Sequence, residues 1–75
     1  MADKLLDVRQ MTCPMPILKA TKALKSLPVG STLEVLATDR GAVGDFEALV
    51  RVGRHEMVEQ GEAAGVFRFV IRRGR

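Results

Sequence analysis

Two prolines separated by a single residue constrain the folding of this chain more than any other feature. They stand in the segment Cys13-Pro14-Met15-Pro16, which follows a short stretch of alternating apolar and polar residues. Proline is tolerated in an α-helix only in the first turn, where its missing N–H would have had no intrahelical partner. The segment therefore predicts that a helix begins here, with Cys13 at or beside its N-cap.

Cys13 is the only cysteine in the 75 residues. The unpaired N–H groups and the positive end of the helix dipole favour an anion at a helix N-terminus. A thiol in that position loses its proton more readily than one in an open chain, which predicts an exposed and nucleophilic sulfur. The alternative is an ordinary buried thiol, because free cysteine is among the most buried residue types.

The size of the chain and its single thiol exclude several classes of protein. We expect residues 1–75 to form one small domain, with no room for a deep substrate pocket. One cysteine cannot form an internal disulfide, hold a zinc ion alone, or supply the resolving thiol of a dithiol redox cycle. The net charge of +3 favours acidic partners only weakly.

We expect neither a signal peptide nor a membrane span. Residues 1–6 lack the charged and apolar regions of a signal peptide, and no apolar run approaches the roughly 18 residues of a transmembrane helix. We therefore expect a cytoplasmic protein without membrane contact, in a compartment where a lone thiol stays reduced.

Hydrophobic periodicity predicts four strands and two helices. Thr38 or Asp39 is expected to cap the second helix, and Gly53 to end it. The order βαβαββ with right-handed crossovers predicts an α+β fold, a two-layer α/β sandwich with a four-stranded mixed sheet and both helices on one face. The predicted elements are a strand over 5–9, a helix from 14 to about 27, a strand over 32–37, a helix after 39, and strands over 54–60 and 66–72 joined by a five-residue loop.

This topology brings two of the polar residues together. If the first two strands are parallel, both strand-to-helix turns open at one edge of the sheet, so Cys13 and Asp39 should be neighbours there. The first helix is expected to bury one face and to expose lysines on the other, either as a simple solvated face or as a docking surface for an acidic partner. The buried face is predicted to contain Ile17, Leu18, Thr21, Leu24 and Leu27, and the exposed face Lys19, Lys22 and Lys25.

Two other functions were weighed against nucleophilic chemistry at Cys13. A metal site made of Cys13, His55 and Met57 fits no standard ligand spacing, so we predict no bound metal. A regulatory or RNA-binding module is suggested by the cationic C-terminal region, but the chain lacks Trp and Tyr, and its late phenylalanines alternate as core residues would, which disfavours direct nucleic-acid binding. The cationic cluster consists of Arg68, Arg72, Arg73 and Arg75.

Several segments together resemble the TusA/SirA family of small sulfur-carrier proteins. The resemblance runs from about residue 5 to the segment Phe69-Val70-Ile71-Arg72, which is nearly the whole chain. The segments that carry it are Leu6-Asp7-Val8-Arg9, Cys13-Pro14-Met15-Pro16, Leu18-Lys19, Gly30-x-x-Leu33-Glu34-Val35 and Ala37-Thr38-Asp39.

The resemblance implies a sulfur relay rather than turnover of a small molecule. Cys13 would receive sulfane sulfur as a persulfide from a donor such as a cysteine desulfurase or rhodanese, and would hand it to an acceptor protein. Acceptors in transfer RNA thiolation, sulfur oxidation or cofactor synthesis all remain open. No cofactor is implied, and we expect a monomer that binds its partners transiently. The residues implied in partner docking are Arg9, Leu18, Lys19, Lys22 and Asp39.

The chain departs from the family pattern at two positions beside the cysteine motif. Gln10 stands where family members commonly have glycine, and Arg40 stands where many have proline. The first departure changes the turn that leads to Cys13, and the second adds a charge near it. The branch of the family, and with it the identity of donor and acceptor, stays open.

Overall fold

The computed structural model describes residues 2–75 and confirms the predicted order of strands and helices. Both helices pack on one face of a four-stranded sheet, so the α+β two-layer sandwich is also confirmed. Within these residues, no helix combines the length and the apolar content of a membrane-spanning segment. The elements are β1 (Lys4–Val8), α1 (Met15–Lys25), β2 (Thr32–Ala37), α2 (Ala42–Gly53), β3 (Glu56–Ala63) and β4 (Val66–Arg72).

The sheet is mixed, with the strand order β1-β2-β4-β3. β1 and β2 run parallel, with Val8 beside Ala37 at their ends. β4 runs antiparallel to β2 and β3, so Phe67 near its start also lies beside Ala37. The ends of β1 and β2 and the start of β4 therefore meet at one edge of the sheet. We call this edge, marked by Val8, Ala37 and Phe67, the site rim.

The hydrophobic core lies between the helices and one face of the sheet. Alternate residues of β2 are buried, as the period-two pattern predicts. Phe46 of α2 stacks on Phe69 of β4, with the two ring centroids 4.7 Å apart, and both side chains are fully buried. This pair ties α2 to the sheet. The other buried core side chains are Val8, Ala20, Ala23, Leu24, Leu33, Val35, Ala37, Ala42 and Ile71.

The buried face of α1 differs from the prediction at Leu18. Pro16, Ala20, Ala23 and Leu24 are buried, whereas Leu18 is exposed to solvent. The prediction for Leu18 as a core residue is wrong because the buried residues follow the i, i+4, i+7 and i+8 spacing of one helical face that starts at Pro16. Leu18 does not belong to that series and lies on the exposed face of the helix.

The start of α2 differs from the predicted one, whereas its predicted end at Gly53 is confirmed. The N-cap is Gly41, no side chain caps the helix, and Asp39 contributes only its backbone oxygen, which accepts the N–H of Ala42 at 3.0 Å. The predicted Asp39 cap is wrong because α2 begins at Ala42, so Asp39 lies two residues before the N-cap position. At the other end, Gly53 is the last helical residue, and Arg54 follows as the C-cap in the left-handed conformation, with a φ of 57°.

The β3–β4 connection is a two-residue turn instead of the predicted five-residue loop. β3 continues to Ala63, which pairs with Val66. The turn residues Ala64 and Gly65 have φ values of 53° and 79°, the left-handed pair typical of a type I′ turn. The predicted loop is too long because Gly61 and its neighbours, although typical of turns by composition, continue the ladder of an edge strand.

Candidate functional site

Cys13 lies at the site rim, directly before the N-cap residue of α1, and its thiol is exposed. Pro14 is the N-cap and Pro16 stands in the first turn. The N–H of Met15 donates to the backbone oxygen of Thr12 at 2.9 Å, and the Cys13–Pro14 peptide bond is cis. The predicted helix start and the predicted exposure of the thiol are confirmed. A protein or small molecule can reach this sulfur from solvent.

Asp45 in the first turn of α2 is hydrogen-bonded to this thiol. Cys13 Sγ donates to Asp45 Oδ2 at 3.5 Å. That hydrogen bond raises the pKa of the Cys13 thiol, and partial desolvation and the negative charges of Asp45 and Asp39 raise it further. The prediction of a lowered pKa is therefore wrong, because two carboxylates from a later part of the chain face the same sulfur.

Asp45 is the site residue that the sequence reasoning missed. It lies 32 positions from Cys13, so no local motif joins the two residues. The available signal was its position in the first turn of α2, since both strand-to-helix turns open at the same edge of a parallel pair. Once the topology is known, that turn belongs to the site rim as much as Cys13 does.

Asp39 lies in the loop after β2 and is half-buried. Its charge acts on the Cys13 thiol, so the predicted proximity of the two residues is confirmed. Arg40 follows it and is exposed to solvent. The rim therefore carries two carboxylates close to the sulfur, those of Asp45 and Asp39. The cation Arg40 follows Asp39 in the sequence.

The turn that leads from β1 to Cys13 passes through Gln10 in the left-handed conformation, with a φ of 71°. The backbone N–H of Gln10 donates to Thr38 Oγ1 at 2.9 Å, which ties this turn to the end of β2. Glycine adopts such a conformation without the steric penalty that a side chain brings. The departure from glycine at this position is thus accommodated at a strained backbone site.

A stripe of four exposed side chains runs along α1 away from the thiol. Met15, Leu18, Lys19 and Lys22 follow one another at the i, i+3, i+4 and i+7 spacing that places residues on one helical face. Met15 is 44% exposed and Leu18 is 56% exposed, and both lysines are exposed. We call these four residues the α1 stripe. It combines apolar area with positive charge on the helix that begins next to Cys13.

Arg9 is exposed near the rim, and Asp7 holds its guanidinium in place. Arg9 Nε donates to Asp7 Oδ1 at 2.9 Å, and Nη2 donates to Oδ2 at 2.8 Å. These side-chain bonds, and a further one from the Arg9 backbone N–H, lower the pKa of Asp7 to about 2. A two-pronged pair of this kind fixes the orientation of the arginine. Arg9 therefore presents an oriented cation rather than a freely moving one.

The structure separates the three residues considered for a metal site. Cys13 contacts the first turn of α2, whereas His55 follows the other end of that helix and Met57 lies in β3. His55 Nδ1 accepts the N–H of Gly74 at 3.0 Å, and burial followed by the charge of Arg73 lowers the pKa of the imidazole. Among the residues that the structure describes, no three His, Cys, Asp or Glu side chains converge as metal ligands.

Three of the four arginines considered as an RNA-binding cluster are engaged within the protein. Phe69, near them in β4, is buried in the core and offers no stacking surface. The cluster thus serves mainly to pair the protein's own acidic and backbone groups. The partners are Glu34 and Glu59 for Arg68, Glu56 for Arg72, and the backbone oxygens of Lys25, Leu27 and Arg75 for Arg73.

Comparison with known proteins identifies relatives over nearly the whole chain. The sequence pattern of the family described as Sulfurtransferase TusA matches residues 4–73. A Neisseria meningitidis serogroup A protein, provisionally named a sulfur carrier, is 48% identical over 71 residues, which is 95% of this chain and 96% of that protein. The sulfur carrier protein TusA of Allochromatium vinosum is 41% identical over 71 residues, covering 95% and 93% of the two chains.

A solved structure supports the same fold. The crystal structure of a SirA-like protein from Desulfitobacterium hafniense superposes with a TM-score of 0.84 and covers 96% of this chain and 99% of that one, at 23% identity. The shared architecture and the family match, which spans the Cys13 motif and the strands around it, lead to one assignment. This chain belongs to the TusA family of sulfurtransferases.

Proposed function

We propose that this protein is a sulfur carrier in which Cys13 holds sulfane sulfur as a persulfide. The sulfur would come from a cysteine desulfurase or a rhodanese-type donor and pass to an acceptor protein. The observation that carries this proposal is the exposed thiol of Cys13 at the start of α1, on an open edge of the sheet. The names of relatives that cover this chain almost completely support it.

The chemistry of loading requires only the thiol and the donor. The Cys13 thiolate attacks the outer sulfur of the donor persulfide, a new S–S bond forms at Sγ, and the S–S bond of the donor breaks. The donor leaves as a thiolate and takes up the proton that Cys13 gave up. Sulfane sulfur moves without net oxidation or reduction, so the step needs no external oxidant. Unloading repeats the same exchange with the acceptor as nucleophile.

The α1 stripe is proposed as the surface that both partners contact. Met15 and Leu18 are exposed apolar side chains in the first turns of α1, and a partner that covers them buries apolar surface on binding. Lys19 and Lys22 extend the stripe with positive charge, which favours an acidic partner surface and speeds encounter. Arg9 and Asp39 are proposed to complete the contact across the rim.

Intact-protein mass spectrometry tests the proposal. The wild-type protein, incubated with a cysteine desulfurase and cysteine, should gain the mass of one sulfur atom, and a reducing agent should remove it. The Cys13→Ser variant should gain nothing, because an alcohol does not form a persulfide. Since Cys13 is exposed, this change should leave the fold intact, which circular dichroism can check. Equal labelling of the two proteins would contradict the proposal.

A further inference from the structure

The carboxylate of Asp45 and the thiol of Cys13 form a pair that joins the start of α2 to the start of α1. Asp45 Oδ2 lies 3.5 Å from Cys13 Sγ, and Asp45 is half-buried while Cys13 is exposed. One side of the sulfur therefore faces a carboxylate fixed on a helix, and the other side faces solvent. The hydrogen bond needs the proton on Sγ, so it exists only while the thiol is protonated and unloaded.

The other charged groups around the sulfur do not offset this carboxylate. Asp39 in the loop after β2 adds a second negative charge that acts on the thiol. Arg9, at the end of β1, is engaged by Asp7 through two short bonds. Asp45 and Asp39 both raise the pKa of the Cys13 thiol, so both disfavour its anionic form.

We propose that Asp45 is a positioning residue that keeps sulfur on the loaded carrier, because its carboxylate makes the Cys13 thiolate a poor leaving group. This inference rests on the proposed sulfur-carrier function. It assigns Asp45 a role in retention, so that small-molecule thiols discharge the carrier slowly. An acceptor protein that brings a cation to the rim would cancel the carboxylate's effect and receive the sulfur quickly.

The unloading step shows where the effect arises. The acceptor thiolate attacks the outer sulfur, a new S–S bond forms to the acceptor, and the bond between the outer sulfur and Sγ breaks. Its electron pair stays on Sγ, which leaves as a thiolate next to the Asp45 carboxylate and then takes a proton from solvent. A thiolate leaves more slowly when the pKa of its thiol is higher. The carboxylate therefore opposes this step until charge or a proton is supplied.

The first experiment measures the reactivity of Cys13 without any sulfur transfer. The rate of alkylation by iodoacetamide is followed against pH for wild type, Asp45→Asn, Asp45→Ala and Asp39→Asn. The profile of both Asp45 variants should move to lower pH, with faster reaction at neutral pH, and that of Asp39→Asn should move less. At high pH the Asp45 variants should react no faster than wild type, because a thiolate of lower pKa is the weaker nucleophile.

This crossing of the two profiles separates the proposal from a merely structural effect. A variant that only exposed the sulfur more would react faster at every pH. Glu47→Gln is the matched control, since Glu47 is an exposed carboxylate on the same helix, and its profile should coincide with that of wild type. Unchanged profiles for both Asp45 variants, with the fold verified by circular dichroism, would overturn the proposal.

The second experiment measures retention directly. Loaded proteins are separated from the donor, mixed with excess glutathione, and followed by intact-mass spectrometry. Both Asp45 variants should lose their sulfur faster than wild type and faster than Glu47→Gln. Equal rates of loss would overturn the retention role even if the alkylation profile moved. A wild-type protein that takes up no sulfur would instead refute the proposed function, while the alkylation profiles still report on Asp45.

Discussion

Replacing Gln10 by glycine should stabilise the protein, because this residue stands in a left-handed backbone conformation. Its φ is 71°, its side chain is exposed, and its backbone N–H bonds to Thr38 Oγ1, a contact that glycine retains. A left-handed conformation costs an ordinary residue about 1–2 kcal/mol. Glycine avoids this cost. Its unfolded chain has more conformational freedom to lose, however, and this lowers the free energy of unfolding by about 0.5–1 kcal/mol relative to alanine. The expected net gain for Gln10→Gly is therefore at most about 1.5 kcal/mol, with a central value of about 0.75 kcal/mol.

Urea unfolding followed by circular dichroism measures this gain. The midpoint should rise while the slope with urea concentration stays the same, and for the central value of the gain the melting temperature should rise by about 3–6 °C. Gln10→Ala is the control for the side chain, since alanine keeps the backbone strain, and its stability should stay within about 0.5 kcal/mol of wild type. Lys22→Gly is the control for glycine itself, because it lies in a regular helix and should lose about 1 kcal/mol.

Two outcomes would refute the reasoning. If Gln10→Gly lost as much stability as Lys22→Gly, the left-handed turn would carry no strain. If Gln10→Ala gained as much as Gln10→Gly, the gain would come from removal of the glutamine side chain rather than from the backbone. The alkylation rate of Cys13 should be the same in wild type and Gln10→Gly, because the contact that positions the turn is unchanged.

Three further predictions concern the core, the pH dependence and the docking surface. Phe69→Ala removes a fully buried ring stacked on α2, and should lower the free energy of unfolding by about 3–5 kcal/mol in urea titrations. Asp7 has its pKa lowered from 3.8 to about 2, so its ion pair stabilises the fold above that range and the benefit is lost as pH falls through it. Asp7→Asn should thus be less stable than wild type at neutral pH, and their urea midpoints should converge near pH 2; a constant difference would contradict this. Reversing the charges of Lys19 and Lys22 to Glu should slow sulfur uptake from a desulfurase at low salt, whereas Arg51→Glu on α2 should not; equal slowing would exclude a docking role for α1.

Much of this architecture could be predicted because the signals are local. Pro14 and Pro16 mark the start of α1 because proline lacks a backbone N–H and has a fixed φ. Neither property depends on a distant residue. The alternation along β2 likewise reports which face of that strand meets the core. Element order then determines that the turns after β1 and β2 share one edge, so the meeting of Cys13 and Asp39 followed from chain connectivity.

The errors have the opposite character, since each depends on contacts between distant segments. Leu18 was expected in the core, but the rotation of α1 against the sheet buries the face with Pro16 and Ala20 and leaves Leu18 in solvent. The β3–β4 turn was predicted too long because Gly61 reads as a turn residue, whereas pairing with β4 extends the strand. Ladder formation overrides weak local preferences where a neighbouring strand supplies hydrogen-bond partners.

The sequence by itself determined that a single sulfur stands at the beginning of a helix on one edge of a mixed sheet. It could do so because proline geometry and hydrophobic alternation act within a few residues of chain. Only the tertiary structure decided the proton affinity of that sulfur. A helix N-terminus alone favours an anion, but folding places the carboxylate of Asp45 within 3.5 Å of Cys13 Sγ. Coulomb interactions depend on distance in space, which a pattern along the chain does not report.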